Sequence, residues 1–282
     1  MRTVLQQILN PWICLSLLLF YSFVTMDSYS QNDLAKILKA LHIPGKPLTL
    51  TNVYDSATAA IVCAHPATKA VATTSFAIAA TIGVEDDDLT LEDNLVGVQN
   101  VAKVVSRYAA LPLTADLQDG YDIQKSIPAA IKLGVVGCNI EDMDHEKRHL
   151  RSMDDAVSRI HRVLSAATQA GVPDFCVNAR TDVLGHGGSI EDAIERGKAY
   201  LGAGATTVFV LGGRSGRGVS AEEVKQLVEG LGGMVNVMMS LKPGYLGVKE
   251  LSEIGVARIS IGSALYRAAM RDLSDALDAA VC

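Results

Sequence analysis

Several features that announce common functions are missing from this chain. Its net charge is −6, and its basic residues form only local groups such as Lys147-Arg148 and Arg214 with Arg217. Nucleic-acid binding needs clustered Lys and Arg to neutralise phosphates, so no nucleic-acid partner is expected. The five cysteines (Cys14, Cys63, Cys138, Cys176 and Cys282) are odd in number, widely spaced and form no C-x-x-C pair. They suit neither a disulfide framework nor a structural zinc site, and read as buried or inert thiols. No G-x-G-x-x-G follows the first β-rich run, and the Gly-rich stretch LGGRSGRG (211–218) lacks Walker A spacing and its lysine. That stretch reads as a flexible loop or as a contact for an anion. Low-complexity tracts and long linkers are absent after residue 45, so residues 28–282 read as one domain.

One long hydrophobic run is present, ILNPWICLSLLLFYSFV at residues 8–24, preceded by a single Arg2. It has three readings: a signal peptide, a short membrane anchor, or an upstream translation artefact with Met26 as the true start. Residues 1–27 are therefore set apart from the fold. A cytoplasmic or organellar location is expected, and a membrane or secretory route follows only if residues 8–24 are retained.

From residue 48 onward, compact apolar runs alternate with amphipathic ones. The strand candidates are LTLTNV (48–53), AVATTS (70–75), PLTAD (112–116), VVGCNIE (135–141), FCVNAR (175–180), TTVFVL (206–211), MVNVMM (234–239) and ARISIG (257–262). Nearly continuous apolar runs suit strands buried on both faces. Helical patterns separate them, at 155–171, at 189–204 behind the capping box Ser189/Asp192, and at 220–232 behind Ser220/Glu223. Eight βα units over about 255 residues predict a closed (β/α)8 TIM barrel.

Barrel chemistry sits where strands end. The strand ends here carry Asn52 to Asp55, Thr74-Ser75, Asp116, Glu141-Asp142, Asn178 to Asp182, Leu211-Gly212 and Met239-Ser240, with EDDD (85–88) after the second strand. Carboxylates converging on one mouth repel unless a cation or proton intervenes. Oxygen ligands without clustered His or Cys suit a hard ion such as Mg2+. Arg180 ends an apolar strand, where a charge needs a partner. Its partner is either Asp182, Glu141 or Asp142 in a salt bridge, or a substrate carboxylate held by both guanidinium prongs. The charged segment DMDHEKRHL (142–150) reads as a solvated loop, or as a lid carrying Lys147 or His149 to the substrate.

Taken together, IGVEDDD, LTADLQDGYD, NIED, VNARTDV and GVARISIG resemble the isocitrate lyase and phosphoenolpyruvate mutase superfamily, from about residue 45 to 270. The resemblance implies a barrel that binds Mg2+ (or Mn2+) and a small 2-oxo or 2-hydroxy carboxylate, with chemistry through a metal-stabilised enolate. By position it implies Asp116 as the direct metal ligand, with Asp86, Glu141 and Gln118 around metal-bound waters. It implies Thr74, Ser75 and Arg180 on the substrate carboxylate; from their places at the strand ends, Tyr54, Asn178, Asp116 and Gly212 are also expected to face substrate. Arg180, Lys147 and Glu141 are the residues expected to act in catalysis. A homotetramer or dimer is implied, built by exchanging the last barrel helix, at about 263–281.

Two departures stand out. Gln118 occupies a position where the superfamily's metal motif usually has an acid, and EKRHL (146–150) lacks the Cys and Gly of the lyase lid signature. Cys138, inside the fourth strand, is expected to face the core and not to replace that lid cysteine. The leading expectation is a Mg2+-dependent lyase, hydrolase or decarboxylase acting on an oxaloacetate-like acid. The alternatives are P–C bond chemistry or a repurposed biosynthetic enzyme, and a non-catalytic carboxylate binder.

Overall fold

The computed structural model describes residues 29–212, 218–242 and 244–281. The apolar run 8–24, Arg214 and Arg217 of the Gly-rich loop, and Cys14 and Cys282 lie outside the described residues.

All eight expected strands form. They are β1 (Leu48–Leu50, resuming at Asn52–Val53), β2 (Val71–Thr73), β3 (Leu113–Asp116), β4 (Val135–Glu141), β5 (Cys176–Thr181), β6 (Thr207–Val210), β7 (Val235–Met238) and β8 (Arg258–Ser260). Every pairing among them is parallel. The first half of β1 lies beside β8, with Leu48 opposite Arg258, and its second half lies beside β2, with Asn52 opposite Ala72. The break at Thr51 thus lets one strand join both ends of the sheet and close the barrel. All seven residues of β4 are buried, as a strand covered on both faces requires.

The helices are α1 (Gln31–Ala40), α2 (Ser56–Ala64), α3 (Ser75–Thr81), α4 (Leu91–Val105), α5 (Ile123–Lys132), α6 (Met153–Gln169), α7 (Ile190–Gly202), α8 (Ala221–Gly230), α9 (Val248–Ile254) and α10 (Ala264–Val281). The capping boxes of α7 and α8 form at Ser189/Asp192 and Ser220/Glu223. Helix α6 starts two residues before the expected 155, because Ser152 accepts the Asp155 N–H and so caps it earlier.

Helix α1, not anticipated from the strand–helix pattern, packs against β4 and β5 at the barrel's N-terminal end. A Cβ on Gly137 would lie 2.9 Å from Leu38 Cδ2 and 2.8 Å from the Cys176 carbonyl, so glycine is what admits this helix. Gln31 secures it by donating to the Ile131 and Val135 carbonyls at 2.7 and 3.0 Å.

Two features depart from the expected plan. The charged segment after β4 is an antiparallel hairpin pairing Met143 with Leu150 and Asp144 with His149. Helix α10 has no buried residue, and Leu273, Leu277 and Val281 are exposed along it. No helix among the described residues is long and apolar enough to cross a membrane.

Candidate active site

The C-terminal ends of β2 to β5 gather the candidate residues. Asp116 closes β3 and faces the first turn of α3. The Ser75 N–H and Oγ both donate to Asp116 Oδ2 at 3.1 Å, and Asn139 Nδ2 donates to Oδ1 at 3.3 Å. Three donors, one of them an N–H at a helix start, hold the carboxylate in one rotamer. The Asp116 N–H in turn donates to Thr73 Oγ1 at 2.9 Å, which ties β3 to β2.

Asp86, on the 3-10 turn Asp86–Asp88, comes next to this carboxylate. Burial and the Asp116 charge raise its pKa, while bonds from Ser75 and Gln118 pull the other way. Gln118 is 3% exposed and sits at φ 51°, a left-handed conformation. Its Nε2 donates to the Asp86 carbonyl at 2.6 Å and to Asp86 Oδ1 at 3.1 Å. Both partners are acceptors, so the amide orientation is fixed. Gln118 therefore serves as a donor that braces Asp86, where an acid would repel it.

Glu141 ends β4 directly opposite Arg180 on β5. Arg180 Nη1 meets Glu141 Oε1 at 2.6 Å, and Nη2 meets Asp182 Oδ1 at 2.8 Å. Burial pushes the Glu141 carboxyl up to about 7, with Arg180 and His145 drawing it down. Burial works against the Arg180 charge, but Glu141 and Asp182 outweigh it and raise its pKa. Of the partners open to Arg180, the structure thus uses Glu141 and Asp182. Asp142 is engaged elsewhere, by Tyr200 Oη at 2.7 Å and Arg196 at 3.1 Å. Arg180 Nε and Asp182 Oδ2 are buried without a partner, so the cluster keeps unused hydrogen-bonding capacity.

The other expected residues spread out. Thr74 is the N-cap of α3 and makes no side-chain capping bond. Tyr54 is buried with its ring edge-on to Tyr266 at 5.3 Å, and burial followed by Asp55 raises its pKa. Asn178 is 1% exposed; it donates to Asn139 at 2.7 Å and accepts from Thr207 at 2.7 Å. It therefore braces Asn139, its register partner, which in turn donates to Asp116. Gly212 borders a separate cavity of about 540 Å3 at the ends of β6 to β8, lined also by Met239, Lys242 and Arg267. Lys147 has a side chain 70% exposed and pairs with Asp144 at 3.8 Å, so it is not brought to the acids. Cys138 is fully buried and burial raises its thiol pKa, as expected of a core residue.

His145 was not singled out from sequence, yet it is the hairpin residue that reaches the cluster. Its Nε2 lies 3.1 Å from Glu141 Oε2 and its Nδ1 lies 3.4 Å from Asp87 Oδ1. Arg258 was missed as well. It is 2% exposed inside the barrel, lies 3.4 Å from Asn139 Oδ1, and burial lowers its pKa to about 10. Its signal was the one used for Arg180, a charge inside an apolar strand run.

Among the described residues, no three His, Cys, Asp or Glu side chains form a ready metal cage. Mg2+ takes few protein carboxylates and keeps several waters, so a full cage is not what it needs. The donors at the mouth are oxygens, and Asp116 raises the pKa of Asp86 by like-charge repulsion that a cation would relieve. The residues present fit such an ion.

Comparison with known proteins follows the same direction. The phosphoenolpyruvate phosphomutase family profile matches residues 38–281. An uncharacterised protein of Mycobacterium tuberculosis is 30% identical over 234 residues, which is 82% of this chain and 83% of that one. An oxaloacetate decarboxylase of Pseudomonas fluorescens is 26% identical over 62% of this chain and 61% of its own. The crystal structure of 2,3-dimethylmalate lyase, a member of the PEP mutase/isocitrate lyase superfamily, superposes with a TM-score of 0.75. It is 25% identical, and the match covers 87% of this chain and 86% of that chain.

Proposed function

Because the chain belongs to the phosphoenolpyruvate phosphomutase family, whose superfamily consists of lyases and mutases, we propose that it is a Mg2+-dependent carbon–carbon lyase, hydrolase or decarboxylase. Its substrate is a small 2-oxo or 2-hydroxy dicarboxylate of the oxaloacetate type. The observation that carries this reading is the gathering of two preorganised groups at the ends of β3 and β5, the strands that flank β4. One is Asp116, fixed by Ser75 and Asn139; the other is Arg180, whose Nη groups meet the site's own acids while its Nε has no partner. The oxaloacetate decarboxylase and the 2,3-dimethylmalate lyase among the relatives support the substrate class.

Asp116 would hold the ion, with Asp86 and Glu141 on its waters and Gln118 bracing Asp86. Mg2+ or Mn2+ in that place polarises a 2-oxo group and stabilises the negative charge left when the adjacent carbon–carbon bond breaks. Arg180 would turn its unused Nε to the substrate carboxylate while its Nη groups stay on Glu141 and Asp182. Thr74, which makes no capping bond at the start of α3, would orient that carboxylate with its hydroxyl, while Ser75 keeps Asp116 in place. The hairpin over the mouth limits the entry of water.

The exposed Leu273, Leu277 and Val281 on α10 support assembly into a dimer or tetramer through exchange of that helix. Phosphorus–carbon bond chemistry is the second reading, favoured by the family profile itself.

The test is a proton and phosphorus NMR screen of 2-oxo acids, 2-hydroxy acids and phosphoenolpyruvate, with Mg2+ and with EDTA. Cleavage of a dicarboxylate that stops in EDTA is expected. A new phosphonate resonance from phosphoenolpyruvate selects the second reading, and no turnover of any compound sinks both and leaves a carboxylate binder.

A further inference from the structure

The hairpin that follows β4 is tied down on two sides of the mouth. On one side His145 bridges Glu141 at 3.1 Å and Asp87, on the loop after α3, at 3.4 Å. On the other, Arg151 at the hairpin's foot pairs with Asp144 at 3.1 Å and with Asp119, on the loop after β3, at 2.8 Å. Asp119 is itself anchored through its backbone carbonyl by Arg159. The side chains of Asp144, Arg151 and Asp119 are 6%, 12% and 14% exposed, so solvent screens these pairs little.

Backbone bonds complete the fastening. The Arg151 N–H donates to the Asp142 carbonyl at 2.8 Å, and the Lys147 N–H donates to Asp144 Oδ1 at 2.9 Å. The tip between the paired residues Asp144 and His149 is short, and Arg148 turns it at φ 53°. A lid that swings open would give up both sets of ties in every cycle, leaving Glu141 and Asp119 each short of a partner.

We propose that residues 143–150 form a standing roof over the acid half of the mouth, latched by His145, and not a lid that closes on the substrate. His145 is then a positioning residue. It holds Glu141 in place from above, and the fixed roof sets an upper size for the acid that fits beneath it. This size limit rests on the proposed function, whereas the latch itself does not.

The test uses the full chain, free of ligand, and its His145→Ala variant. Amide hydrogen exchange is followed by mass spectrometry on peptides covering residues 143–150, and affinities are measured for oxalate and for the longer 2-oxoadipate. The wild type should show at least tenfold protection in the hairpin without any ligand, unchanged by Mg2+ and oxalate. His145→Ala should lose that protection while peptides from β4 and β5 keep theirs, a control that the barrel is folded. The ratio of 2-oxoadipate to oxalate affinity should rise at least tenfold in the variant. Protection that appears only with Mg2+ and oxalate would overturn the standing roof, and unchanged protection in His145→Ala would overturn the latch. An unchanged affinity ratio would overturn the size limit. If neither acid binds, the functional reading falls and the size limit with it, while the exchange data still decide the latch.

Discussion

Replacing Arg180 by Met should destabilise the ligand-free protein severely, and in a pH-dependent way. The guanidinium lies 2.6 Å from Glu141 and 2.8 Å from Asp182, and these carboxylates have side chains only 3% and 9% exposed. Removing it leaves buried Asp182 without a cation and Glu141 with His145 alone, a change that typically costs about 3–5 kcal/mol. Glu141 can escape the penalty by taking up a proton, because burial raises its pKa and the lowering by Arg180 is gone in the variant. A carboxyl with a raised folded-state pKa contributes stability that is present below its unfolded value and is lost as pH rises through the folded one. The deficit of the variant should therefore be smaller at pH 5 than at pH 8, by at least about 1.4 kcal/mol, the equivalent of one pKa unit. Urea unfolding of both proteins at the two pH values measures this directly. A deficit below about 1 kcal/mol at pH 8 would refute the claim that Arg180 compensates buried charge, and so would an equal deficit at both pH values.

Further outcomes follow from other contacts. Gln118→Glu replaces the donor to Asp86 with a charge, so the metal-free protein should lose about 1–3 kcal/mol while Mg2+ affinity rises; calorimetry showing unchanged or weaker Mg2+ binding would contradict this. Burial opposes the charged form of His145, but Glu141, Asp119 and Asp87 outweigh it and raise its pKa to about 9. Stability from this group is complete below about pH 6.5, its ordinary value, and lost as pH climbs through about 9. Relative to His145→Gln, the wild type should thus lose roughly 2–3 kcal/mol between pH 6.5 and 9.5, and parallel stability curves would refute the shift. Charging the exposed face of α10 with Leu273→Asp and Leu277→Asp should yield a folded monomer by analytical ultracentrifugation, and an unchanged mass would exclude that face from the assembly.

Much of the barrel was legible because its signals are local and repeated. A buried parallel strand writes itself as a compact apolar run, and Ser189/Asp192 and Ser220/Glu223 mark helix starts by chemistry that needs no tertiary partner. Asp116, Glu141 and Arg180 could be placed for the same reason, since each ends such a run. Residues whose roles depend on distant partners were harder to see. Nothing local predicts that His145 meets Asp87, or that Asp119 and Arg151 tie a loop after β3 to the hairpin. Asn178 could be assigned to the correct strand face, but whether that face looks into the mouth or into the barrel below depends on depth along the strand. Its bonds to Asn139 and Thr207 cross to the two flanking strands, which no local pattern announces. Where Lys147 sits was equally hidden: the segment is a short tied hairpin, and its lysine side chain is 70% exposed beside Asp144.

In the proposed function, Asp116 and Arg180 together form a site for a metal ion and an enolate-like dianion. Oxalate, a planar dianion resembling the enolate of a small 2-oxo acid, probes it without requiring turnover. Isothermal titration of oxalate into the full chain with Mg2+, with EDTA, and into Asp116→Ala with Mg2+ is the most direct measurement. Micromolar binding that weakens at least a hundredfold in EDTA, and likewise in Asp116→Ala, is the predicted result. Equal affinity in all three titrations, or no binding by the wild type with Mg2+, would contradict it.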